Sequence, residues 1–159
     1  MLEAYYALGS IEEDSHTYTG SINASKWYEK AAILGETKSQ VRLALMYLVG
    51  NGKHENFQQA YNWFYKAALK GDSQAESMLG TMYYYGKGMP INYNESLYWF
   101  QKAAKKNYSM AQYSIGLFYC EGSGMKQDLK ECAYWLKKAH ANGFDSSRVW
   151  NRYNLNTYQ

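Results

Sequence analysis

A chain of 159 residues that is 47% hydrophobic and 18% aromatic, with a single Pro, has ample apolar surface for a packed core, which argues against disorder. No run approaches the ~18 apolar residues that a bilayer span needs, and a formal net charge of +3 is too mild to demand a nucleic-acid or membrane partner. The charge is uneven: residues 1–38 sum to −3, 39–110 to +4 and 111–159 to +2, an acidic front before a basic remainder that reads as solvated helix faces.

Tryptophan recurs at Trp27, Trp63, Trp99 and Trp135, each interval being 36 residues, and the neighbours repeat with it, as in Trp63-Phe-Tyr-Lys-Ala-Ala and Trp99-Phe-Gln-Lys-Ala-Ala. Such strict register marks an array of one supersecondary unit stacked on itself. The start, Met-Leu-Glu-Ala-Tyr-Tyr, has neither a basic n-region nor an apolar h-region, so no signal peptide is read and a cytoplasmic protein is expected unless a leader was removed.

In the first repeat Ala4, Leu8 and Gly9 open a helix, called helix A, with a small residue, a large aliphatic four later and then Gly or Ala on one stripe. Glu12 stands where later repeats have Tyr, and Ser15-His16-Thr17 replaces a Gly-x-Gly turn, so this turn is expected to be different and more exposed. Helix B then carries Trp27 and stops at Gly35. The second repeat runs Ser39, Leu43, Ala44 and Tyr47, turns at Gly50-Asn-Gly52, and enters helix B at Asn56, an N-cap residue. Ala60, Trp63, Ala67 and Ala68 are expected to face inward, with Gly71 ending the helix. The third repeat has Ala75, Leu79, Gly80, Tyr83, Gly86-Lys-Gly88, Asn92, Trp99 and Asn107 at those places; the fourth has Ala111, Ile115, Gly116, Tyr119, Gly122-Ser-Gly124, Asp128, Trp135 and Gly143. From Ser147 a short capping helix should follow, with Trp150 and Tyr153 covering the last repeat. A pair of helices this small cannot bury its own apolar face, so neighbouring pairs must stack. The expected organisation is one domain, residues 1–159, with repeats at about 4–38, 39–74, 75–110 and 111–146 and a cap and tail at 147–159.

Cys120 and Cys132 take positions held elsewhere by Leu48, Tyr84, Ala60 and Ser96, so they read as packed thiols in a reducing compartment rather than a disulfide. Chemistry finds little support. Ser123-Gly124-Met125-Lys126 has the S-x-x-K spacing of penicillin-recognising enzymes, yet it lies in a turn the repeat explains, and neither S-D-N nor K-T-G occurs. His16, His54 and His140 are scattered without metal-ligand spacing; the first two read as turn residues. Lys102, Lys105, Lys106, Lys137, Lys138, Arg148 and Arg152 suggest a nucleic-acid surface less than a solvated helix face.

The pattern A-x-x-x-L-G-x-x-Y-x-x-G-x-G, a polar Asn or Asp, then A-x-x-W-x-x-K-A-A-x-x-G resembles the Sel-1-like repeat (SLR) family, relatives of the tetratricopeptide repeat. The third copy fits best, through Ala75, Leu79, Gly80, Tyr83, Gly86, Gly88, Trp99, Lys102, Ala103 and Ala104. The resemblance implies an all-α fold: a right-handed α/α superhelical solenoid of four helix-turn-helix repeats plus a C-terminal capping helix. It also implies a non-enzymatic adaptor or scaffold without a cofactor. In such superhelices helix A lines the concave groove, which would direct Tyr6, Ser10, Glu13 and Asp14 into it from the first repeat. Val41, Leu45, Leu48 and Val49 would follow from the second, Ser77, Thr81, Tyr84 and Tyr85 from the third, and Tyr113, Leu117, Cys120 and Glu121 from the fourth. Apolar and aromatic in the middle and acidic at its margins, this surface suits a protein or peptide segment with a basic surface, bound by a monomer. An immunity protein neutralising a bacterial toxin is the alternative; a hydrolase using Ser123 or a cysteine and a nucleic-acid binder rank behind it.

Overall fold

In a computed structural model, residues 1–15 and 17–158 are described; His16, expected in an exposed turn, lies outside them. Among the described residues there are nine α-helices and no strand: α1 (Leu2–Asp14), α2 (Tyr18–Ile33), α3 (Thr37–Val49), α4 (Phe57–Leu69), α5 (Ser73–Tyr85), α6 (Tyr93–Ala104), α7 (Ser109–Glu121), α8 (Leu129–Ala141) and α9 (Ser147–Arg152). A 3₁₀ turn, Leu155–Tyr158, closes the chain. No described helix is long and apolar enough to cross a membrane. The chain forms two compact units, Met1–Ala75 and Glu76–Gln159.

Local chemistry sets the helix ends. The side chains of Asn56, Asn92 and Asp128 accept hydrogen bonds from the first-turn N–H groups of α4, α6 and α8, at 3.0–3.1 Å, which satisfies donors that have no partner within the helix. Thr17 does the same for α2, accepting from Gly20 N at 2.9 Å. Helix A has acidic caps that the repeat pattern did not single out: Glu36 accepts from Lys38 N and Ser39 N, and Asp72 from Ala75 N at 2.8 Å. α3 and α7 end in left-handed glycines, Gly50 at φ 72° and Gly122 at φ 70°. The second glycine of the turn has another task. A Cβ on Gly52 would collide with the Ser21 carbonyl oxygen of α2, and one on Gly124 would lie 2.8 Å from Tyr93 Cβ of α6. These two turns are thus pressed against the preceding repeat's helix B.

In the first unit α1 packs on α2, α2 on α3 and α3 on α4; its core gathers Ala24, Tyr28, Ala32, Leu43 and Met46, with Trp63 half-buried against them. In the second unit α6 packs on α7 and α7 on α8, around Phe100, Ala103, Ala104, Ala111, Ile115 and Phe118. The inward anchor of helix B differs from the expected tryptophan. Three of the four tryptophans are only half-buried, Trp99 being the buried one, whereas the next residue, Tyr28, Phe64, Phe100 or Leu136, is buried in every repeat. This anchor explains the small residue on helix A. A Cβ on Gly80 would come within 2.8 Å of the Phe100 ring, and a Cβ on Gly116 within 2.8 Å of Leu136.

The capping helix forms, but Val149 and Leu155 are its buried contacts, with Trp150 and Tyr153 half-buried against the same cluster. Cys120 and Cys132 are joined in a disulfide, contrary to the expected free thiols. Their positions face each other between α7 and α8, with Cα atoms 5.1 Å apart, within the reach of the bond. The small slot on helix B that elsewhere takes Ala60 or Ser96 is what brings the two helices this close.

Candidate functional site

Helix A supplies one exposed stripe per repeat, because residues three, four and seven apart share a face. In the second unit that stripe is concave. Thr81, Tyr84 and Tyr85 of α5 and Tyr113, Leu117 and Glu121 of α7 line a single hollow of 310 Å³. All six were singled out from the sequence. Phe100 and Phe118 form its floor, and Met110, Ser114 and Phe144 complete the wall.

Aromatic packing fixes this wall. The Tyr84 ring meets Tyr85, Phe118 and Tyr93 edge-on at centroid distances of 4.9, 5.1 and 5.4 Å. Tyr113 lies against Phe144 at 4.5 Å. The Tyr84 hydroxyl donates to Glu121 Oε2 at 2.7 Å and lies 3.0 Å from Ser123 Oγ. Burial, aided by the Glu121 carboxylate and opposed by Ser123, pushes the Tyr84 phenol up to about 12. Burial also raises the Tyr113 phenol; Glu121 and Tyr85 add to the rise and Arg148 opposes it. Both phenols therefore stay neutral donors at physiological pH, while Tyr85 and Met110 remain 64% and 45% exposed.

The first unit has a hollow of another character. Ser10, Glu13 and Asp14 line a space of 560 Å³ together with Thr17, Tyr18, Ser21, Arg42 and Asn51. Glu13 accepts from the buried Tyr28 hydroxyl at 2.7 Å and lies 3.9 Å from Arg42 Nη1. Burial first, and then Glu13, raise the Tyr28 phenol well above its ordinary value.

The remaining expected groove residues are not gathered in this way. Val41 and Ser77 are buried, and so is Cys120 within its disulfide, so these three offer no surface. All four repeats place a residue three before the small contact position, and there the short Val41 and Ser77 are covered, whereas the larger Tyr6 and Tyr113 stay half-buried. Tyr6, Leu45 and Leu48 are half-buried, Tyr6 with its ring 5.8 Å from Tyr28, and Val49 is exposed. Met110 and Phe144 went unnoticed in the sequence. A signal existed at Phe144: Tyr108 and Phe144 put aromatics where Glu36 and Asp72 cap their helices, so the last two repeats differ from the first two at this place.

Of the residues weighed for chemistry, Ser123 is bound to Tyr84 in its turn, and His54 and His140 are exposed in different units. The lysine three residues after each tryptophan lies over the indole, with Nζ to ring centroid distances of 4.5 Å for Lys30, 4.2 Å for Lys66, 4.7 Å for Lys102 and 5.0 Å for Lys138. These lysines are engaged within their own helix B.

The sequence model of the Sel1 repeat matches residues 2–36, 37–72, 73–108 and 109–144, each span starting two residues ahead of the expected boundary. Among solved structures, a Sel1 repeat protein from Oxalobacter formigenes is similar with a TM-score of 0.83 at 30% identity, over 91% of this chain and 59% of that one. A protective antigen present in uropathogenic Escherichia coli strains and displaying an SLR fold gives a TM-score of 0.82 at 34% identity, over 91% of this chain and 31% of its own. The chain thus spans less than two thirds of the length of either. No curated protein matches it.

Proposed function

Because this chain belongs to the Sel1 repeat family, whose members generally mediate protein–protein interaction, we propose that it is a non-enzymatic module that captures a segment of a partner protein on its helix-A surfaces. The hollow between α5 and α7 carries this reading. Tyrosines there are fixed by neighbours yet keep exposed edges, so they bury area with little loss of side-chain freedom. Glu121 in this hollow, and Glu13 and Asp14 in that of the first unit, favour a basic segment. An immunity protein masking a toxin would use the same surface, and the identity of the captured partner separates the two.

Tyr85→Ala and Tyr113→Ala test the reading together. Capture of the partner from extracts of the source cells should fall by about tenfold or more, the loss expected when interface hot spots are truncated. The helical circular dichroism should stay unchanged. Undiminished capture by the folded double variant would overturn the reading.

A further inference from the structure

The α5–α7 hollow has an acid at its rim and an apolar, aromatic interior, and that combination selects among guests. Its volume of 310 Å³ is at the lower end of the ~300–1,000 Å³ of ligand pockets, room for one long side chain. Glu121 is the one charged residue in its lining. The Tyr84 hydroxyl holds Glu121 Oε2 at 2.7 Å, which orients the carboxylate and leaves Oε1 for a guest. Tyr85 and Tyr113 offer ring faces beside it, and Leu117 and Met110 offer apolar contact.

A purely apolar guest would make no use of the oriented carboxylate, and an acidic guest would meet it with like charge. A long side chain with an apolar stem and a cationic head uses every part. Between the two such residues, a flat guanidinium stacks on a tyrosine ring and pairs with a carboxylate in one plane, whereas an ammonium is a compact, strongly hydrated charge. Arg148, exposed on α9, acts on Tyr113 from outside the lining, and its positive charge opposes an incoming cation, so the Glu121 contact must outweigh it.

Resting on the reading of this surface as a partner site, we propose that the hollow is a receptor for a single arginine side chain of the partner segment. Its stem would lie along Leu117 and Met110, and its guanidinium between the tyrosine faces and Glu121. The pocket would set the register of the bound segment, with the rest of the surface adding area.

Acetylated and amidated pentapeptides Gly-Gly-X-Gly-Gly, with X arginine, citrulline, lysine or norleucine, test this when titrated into the full chain while the tyrosine side-chain NMR signals are followed. The arginine peptide should shift Tyr85 and Tyr113 and bind tighter than the citrulline peptide on the order of tenfold, the size expected when a cation–π contact adds to a surface ion pair. Glu121→Gln should remove most of that preference, and added salt should weaken it. Tyr113→Leu, which keeps apolar bulk without the ring, should reduce it independently of Glu121. Equal binding of norleucine or lysine, or an unchanged preference in Glu121→Gln, would overturn the arginine assignment while leaving the partner surface standing. Failure of every peptide to shift Tyr85 or Tyr113 overturns it too. Failure of the broader reading shows separately, as retained partner capture by the Tyr85 and Tyr113 alanine variants.

Discussion

Glu76 has no exposed surface, and both of its oxygens accept from Lys106 Nζ at 2.8 Å, with Lys102 Nζ 3.9 Å away. The same position holds Gln40 and Gln112 in the neighbouring repeats. Gln40 Nε2 donates to the Ala32 carbonyl at 3.1 Å, and Gln112 Nε2 to the Ala104 carbonyl at 3.2 Å, while Gln112 Oε1 accepts from Asn142 at 2.9 Å. Asn142 is the repeat equivalent of Lys106, so one repeat pairs an amide with an amide where another pairs a carboxylate with an ammonium. From the sequence, a Gln or Glu in helix A reads as a surface residue, because the neighbour that covers it comes from a distant turn. Breaking the ion pair strands a buried carboxylate, so Lys106→Ala should destabilise the fold by about 2 kcal/mol. That is below the ~3–5 kcal/mol of a fully buried pair, since Lys106 is 41% exposed and solvent screens it. Glu76→Gln combined with Lys106→Asn rebuilds the fourth repeat's pairing and should restore stability to within ~1 kcal/mol. Urea unfolding of the three chains measures both effects, and a double variant no better than Lys106→Ala would refute the equivalence.

Among the helices, equivalence in sequence does not mean equivalence in burial. Leu43, Leu79 and Ile115 are fully buried, whereas Leu8 at the same repeat position is 39% exposed, and Ile11 is 68% exposed where Met46, Met82 and Phe118 are buried. The burial of Leu43 and Ile115 comes from the neighbour: α2 packs on α3 and α6 on α7. Leu79→Ala should therefore cost roughly 2–5 kcal/mol, the range for emptying a core position, and Leu8→Ala about 1 kcal/mol, in proportion to the smaller area it withdraws from water. Thermal or urea unfolding of the two variants makes the comparison, and equal costs would mean that α1 is covered as completely as its counterparts. The tryptophans teach a related lesson. A step of one residue turns a helix by about 100°, so Trp and the following ring present different faces although both are apolar. Periodicity finds the helix and its start but does not choose between adjacent apolar residues; here the choice fell on Tyr28, Phe64, Phe100 and Leu136, and the indoles became platforms for the lysines three residues on.

For the molecule as a whole, the 36-residue period made the fold legible, since caps, glycines and small contact residues recur in register. The candidate site was legible only where the helix-A stripe remains uncovered. Tyr84, Tyr85, Tyr113 and Glu121 come together as the family resemblance implies, whereas Val41 and Ser77 disappear into packing, and Phe144 arrives from a loop. The tyrosines that serve both packing and site also give the molecule a common response to alkali. Burial is the first cause of the raised phenol in Tyr28, Tyr84, Tyr113 and Tyr119, which fall in both units. A phenol held above its unfolded value keeps its proton in the folded chain while the unfolded chain releases it. Its contribution is therefore complete below the ordinary value of 10.0 and, for Tyr84, is lost as pH rises through about 12. The urea midpoint should accordingly hold steady below pH 10.0 and fall between there and about 12. Absorbance at the phenolate band should show a late-titrating class of tyrosines over the same interval. Because the Glu121 carboxylate contributes to the rise at Tyr84, Glu121→Gln should move that phenol toward its ordinary value and flatten the fall in stability. A midpoint equally steep in both chains would show that Glu121 does not act on Tyr84 in solution, and the oriented carboxylate on which the arginine receptor depends would lose its support.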